Sequence, residues 1–120
     1  MSVLQDVFSA YGGDYDKTMK RFMDNEALYC KILPKLFQDD NLQKLGRELE
    51  TGNFESAFEA AHTLKGVSAN LGLTPLYNTV CMIVEPLRNR EQNVDYMALY
   101  QAIQVEFQRI NTLWESFAQS

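Results

Sequence analysis

YMALYQAIQVEFQRINTLWESF, residues 96–117, places Tyr96, Leu99, Tyr100, Ile103, Phe107, Ile110, Trp114 and Phe117 at steps of three and four residues. That rhythm marks an amphipathic helix with a near-heptad apolar seam, sustained for more than about five turns. A seam of that length must be covered along its whole extent. Periodic alternation typical of a strand occurs nowhere in the chain, so an all-α fold is expected.

The same spacing recurs upstream. Thr74 followed by Pro75 reads as an N-cap and first helical residue, with Leu76, Val80, Ile83 and Leu87 on one side of a helix reaching about residue 90. Gly72 ends the preceding helix, which spans residues 54–71 and starts after the Gly52-Asn53 turn with Glu55 and Glu59 near its positive end. Leu28, Ile32, Leu36, Leu45 and Leu49 predict a long helix or a broken pair over residues 26–50, and Pro34 and Pro86 are expected to bend their helices. An amphipathic stretch at residues 3–10, Gly12-Gly13 and a short helix from Asp14 to Asp24 come first. The expectation is one domain over residues 1–120: an antiparallel up-down-up-down four-helix bundle at 25–118, with short N-terminal capping helices at 1–24.

With 120 residues and 46% hydrophobic content there is material for a single core. A formal net charge of −5 disfavours nucleic acid and anionic membranes, since nothing would neutralise a row of phosphates. Cys30 and Cys81 form no C-x-x-C pair and read as reduced structural thiols. No stretch reaches the roughly 18 apolar residues needed to span a bilayer, and the N-terminus lacks a basic leader, so a cytoplasmic protein is expected.

The chemistry lies in AAHTLKGVSANLG, residues 60–72. On a helical projection Ala57, Ala60, Leu64, Val67 and Leu71 form the core stripe. His62, the only histidine, falls on the other side with Glu55, Phe58, Glu59, Lys65, Gly66 and Ala69, and is expected to face solvent. A lone exposed histidine is ordinarily of no consequence. Here Gly66 follows one turn later in mid-helix, where glycine is unfavourable by roughly 1 kcal/mol relative to alanine. Close approach of another molecule accounts for it: Gly66 and Ala69 leave the imidazole above a low floor. Lys65 can set its ammonium beside a phosphoryl oxygen on the imidazole, or be an ordinary solvated lysine. Phe58 reads either as part of a docking patch or as a ring buried under the N-terminal helices.

An ordinary histidine has a pKa of about 6.5 and is available as a neutral nucleophile near neutral pH. No glycine-rich phosphate loop, nucleophile–base triad or histidine-rich metal cluster is present, so the chain is expected to be a carrier rather than an enzyme, with no cofactor of its own.

AHTLKG followed by NLG resembles the signature of histidine phosphotransfer (HPt) domains, and NEALYCKILPKLF and ELETGNFESAFEAAH are similar to the preceding helices of that family, so the resemblance covers about residues 14–117. It implies a free-standing, monomeric phosphorelay intermediate. His62 would accept phosphate from a receiver-domain phosphoaspartate, of a hybrid sensor histidine kinase or a response regulator, and pass it to another response regulator. Lys65 would stabilise the phosphoryl group, Gly66 would give steric access, and Phe58, Glu59 and Ala69 would meet the partner. The magnesium ion for in-line transfer would sit in the receiver. A helical adaptor that binds receivers without being phosphorylated is the alternative. Many members of the family carry an acidic or amide residue 22 positions after the histidine, to orient the imidazole; here that position is Val84, and Glu85 is rotated about 100° away.

Overall fold

A computed structural model describes residues 2–118. Eight helices follow in order: α1 (Val3–Tyr11), α2 (Tyr15–Arg21), α3 (Glu26–Ile32), α4 (Pro34–Gln38), α5 (Asn41–Thr51), α6 (Phe54–Asn70), α7 (Thr74–Arg88) and α8 (Tyr96–Ala118). No strand occurs among the described residues. The all-helical bundle foreseen from the spacing is present.

The boundaries have local causes. Ser2, Asp14, Asn25 and Asn53 each cap a helix by accepting a backbone N–H three residues on. Gly12, Gly52 and Gly72 terminate segments with positive φ. At Gly72 a side chain is excluded twice over, by φ of +69° and by Thr18, whose Oγ1 would stand 1.8 Å from an added Cβ.

Two expectations need correction. Residues 26–50 hold three helical pieces rather than one helix or a broken pair, because there are two interruptions. Pro34 opens α4 as a new first turn, and Asp39 leaves helical geometry with ψ of 137°, its carboxylate accepting from the Asn41 backbone and side chain at 2.7 Å. Thr74 is the first residue of α7 and not its cap; Leu73 holds the cap position without a side-chain hydrogen bond. The orphan donor there is met from afar, as the Leu76 N–H donates to the Tyr11 hydroxyl at 2.9 Å. Pro86 lies inside α7, which continues through it to Arg88.

Helices α5, α6, α7 and α8 touch in a closed circuit, α5 on α6, α6 on α7, α7 on α8 and α8 on α5, while α1 lies against α8 and α2. Leu45, Leu64, Leu76, Val80, Ile83, Leu87 and Ile103 are all but sealed from solvent between these helices. The seam of α8 is buried at Tyr96, Ile103 and Ile110 and half-buried at Leu99, Tyr100, Phe107, Trp114 and Phe117. Gly46 of α5 lets α8 come close: the Tyr100 hydroxyl would lie 2.6 Å from an added Cβ, and that hydroxyl donates to the Leu42 carbonyl at 3.0 Å. At the N-terminal end Phe8, Phe22 and Tyr29 form a ring cluster, and Tyr29 donates to the Leu71 carbonyl at 2.8 Å.

Candidate functional site

The buried side of α6 consists of small residues, Ala57, Ala60, Ala61 and Ser68, around Leu64. Ser68 satisfies its own hydroxyl by donating to the Leu64 carbonyl at 2.8 Å. The stripe is broader than the projection indicated, since Ala61 and Ser68 join it and Val67 is only half-buried. Small side chains draw α6 close to both α5 and α7, so the opposite side of the helix is displayed at a fixed height.

On that side His62 is exposed, as the sequence led us to expect, and among the described residues its ring makes no hydrogen bond or ion pair. Phe58 lies one turn before it, half-buried, with the two rings stacked at a centroid distance of 5.6 Å and an interplanar angle of 10°. Phe58 thus packs against His62 and Arg88 and is not hidden beneath the N-terminal helices. The Arg88 guanidinium of α7 stands over it at 5.2 Å from the ring centroid, and Arg88 is ion-paired with Glu85. Val84 is 1% exposed and sends its side chain into the core.

Lys65 is half-buried and has no ion pair or hydrogen bond to another described residue, which leaves its ammonium uncommitted one turn from His62. Gly66 is exposed, and a Cβ placed there would meet nothing within 4 Å. Gly46 is a glycine because Tyr100 needs the room, whereas nothing among the described residues requires glycine at 66. Ala69 is half-buried at the end of the same face, and its carbonyl accepts from Arg21 of α2 at 2.8 Å. Glu55 and Glu59 are exposed, Glu55 lying 4.0 Å from Arg90 in the turn after α7.

The structure therefore gathers His62, Lys65, Gly66 and Phe58 on one open surface and bounds it with Arg88 on one neighbouring helix and Arg21 on another. Sequence reasoning missed both arginines. Arg88 was legible only through pairing of α6 and α7 around the Gly72 turn, which sets residue 58 against residue 88. Among the described residues no group of three or more His, Cys, Asp or Glu side chains is placed to hold a metal ion, and no helix is long and apolar enough to cross a membrane.

Compared with known proteins, the chain matches the family model for the Hpt domain over residues 37–113, from the end of α4 through most of α8. No match is found among curated proteins or solved structures.

Proposed function

Because this chain belongs to the Hpt domain family, whose business is histidine phosphotransfer in two-component phosphorelays, we propose that His62 is its phosphoacceptor. The observation that carries this reading is an exposed imidazole beside a mid-helix glycine, where among the described residues no hydrogen bond holds the imidazole and no contact explains the glycine's open face.

In the proposed step the lone pair of an unprotonated ring nitrogen attacks the phosphorus of a receiver's aspartyl phosphate. The N–P bond forms as the P–O bond to the carboxyl group breaks, and the electron pair returns to the aspartate as carboxylate. The other ring nitrogen holds the imidazole proton. Passage onward is the reverse, with the carboxylate of a second receiver as attacking group. The proposed division of labour leaves this chain the nucleophile, the Lys65 cation and a low surface at Gly66 and Ala69, with Phe58 and Glu59 at its rim. The receiver holds the magnesium ion that neutralises equatorial charge. An antiparallel arrangement of α5 to α8, supported by their short connections and closed circuit of contacts, would hold His62 on a rigid helix.

The test is incubation with a phosphorylated, Mg2+-loaded receiver domain carrying labelled phosphate. Acid-labile label on the wild-type chain and none on His62→Gln is the expected result. If receivers bind the chain but never label it, the protein is an adaptor, and label persisting on His62→Gln would remove His62 from the role.

A further inference from the structure

We propose that Phe58 is a positioning residue for His62, its ring, beneath the Arg88 guanidinium, fixing the plane of an imidazole that no hydrogen bond from the described residues orients. The inference rests on the phosphoacceptor reading and says how that nucleophile is prepared.

An exposed histidine on a helix turns broadly about its terminal side-chain torsion, because wells of an sp³–sp² bond are shallow. Most of those orientations point the attacking nitrogen away from in-line approach. Positions 58 and 62 are one turn apart on α6, so their side chains are natural neighbours. At 5.6 Å and 10° the two rings form an offset parallel stack. That contact favours one ring plane without engaging a ring nitrogen in a hydrogen bond, and His62 stays exposed. A polar orienting residue would occupy one nitrogen and fix its tautomer. Val84, 22 positions after His62 on α7, is buried and has no polar atom to offer.

Helix α7 contributes differently. Arg88 lies 5.2 Å from the Phe58 centroid and is ion-paired with Glu85, one turn earlier on the same helix. A guanidinium over the ring restrains Phe58, and Phe58 restrains His62. Orientation thus passes from α7 to the imidazole through an aromatic ring instead of a hydrogen bond.

The experiment compares Phe58→Leu, Phe58→Tyr and Arg88→Ala with the wild-type chain. One histidine gives one pair of imidazole C–H resonances, and a stacked phenyl ring displaces them by its ring current. Phe58→Leu should lose that displacement and Phe58→Tyr should keep it. With saturating phosphorylated receiver, Phe58→Leu should lower the maximal transfer rate on the order of tenfold, with the half-saturating receiver concentration unchanged. Phe58→Tyr should restore the rate, and Arg88→Ala should fall between. A wild-type rate in Phe58→Leu would overturn the proposal, as would wild-type imidazole shifts in that variant. A rise in half-saturating concentration alone would make Phe58 a docking contact instead. If His62→Gln is labelled like the wild type, the phosphoacceptor reading fails, and the resonance comparison still decides whether Phe58 orients the ring.

Discussion

The Tyr11 hydroxyl accepts a hydrogen bond from the Leu76 backbone N–H, tying the end of the first helix to the first turn of the seventh across 65 residues of sequence. Two guanidinium contacts strengthen the junction: Arg109 of α8 lies 4.9 Å from the Tyr11 ring centroid and donates to the Tyr11 carbonyl at 3.0 Å. Since α7 has no side-chain cap of its own, Tyr11 does the work of one. Tyr11→Phe should destabilise the protein by about 1–3 kcal/mol, the usual effect of stranding a buried donor, with little change in packing. Chemical denaturation that shows an unaltered midpoint would mean that water replaces the phenol.

Burial pushes the phenols of Tyr11 and Tyr29 well above the ordinary tyrosine value of 10. In the unfolded chain these groups lose their protons near pH 10, while in the folded protein they keep them. Below that pH both states are protonated, so these two groups make stability neither rise nor fall. As pH climbs through 10, the unfolded chain binds fewer protons and stability declines. Tyr29→Phe should make the alkaline decline shallower in a series of melts between pH 8 and pH 11.

The two mid-helix glycines should respond in opposite directions. Gly66→Ala meets open space and should raise stability by about 0.5–1 kcal/mol. Gly46→Ala must displace the Tyr100 hydroxyl from its bond to Leu42, so its net effect should be a lower melting temperature. Gly66→Leu should remain folded yet fail to receive phosphate, because the longer side chain raises the surface beside His62. Transfer at wild-type rate would refute that steric account.

Replacing Lys65 with alanine should leave the unfolding free energy within about 1 kcal/mol of wild type, since the ammonium is not committed to a pair among the described residues. Receiver-to-His62 transfer should slow, or the phosphohistidine should decay sooner, and both are read from a label time course. Unchanged kinetics would reduce Lys65 to a solvated surface residue.

Periodicity was sufficient for the helices that carry the site. The seams of α6, α7 and α8 lie close to where apolar spacing put them, because each buries one continuous stripe and the spacing records it. Residues 26–50 were harder, as Asp39 breaks the helix through a local side-chain-to-backbone contact that leaves apolar spacing unchanged. Thr74 was misjudged for a related reason, in that the donor it would have capped is satisfied by a tyrosine 65 residues away. At the candidate site the exposure of His62 and Gly66 followed from the projection of a single helix. The involvement of Arg88 and Arg21 did not, because each reaches α6 from another helix, and one sequence contains no direct record of which side chains meet across a bundle.

Trp114, the sole tryptophan, lines a small apolar cavity with Leu4, Phe8 and Tyr11 of α1 and Ile110 of α8, and α6 contributes no side chain to its wall. The molecule thus has a built-in optical reporter for departure of its leading helix. Indole emission would redden when α1 lifts away and stay constant through events on the α6 surface, so anchoring and the proposed phosphoryl exchange are open to separate observation in one unlabelled sample.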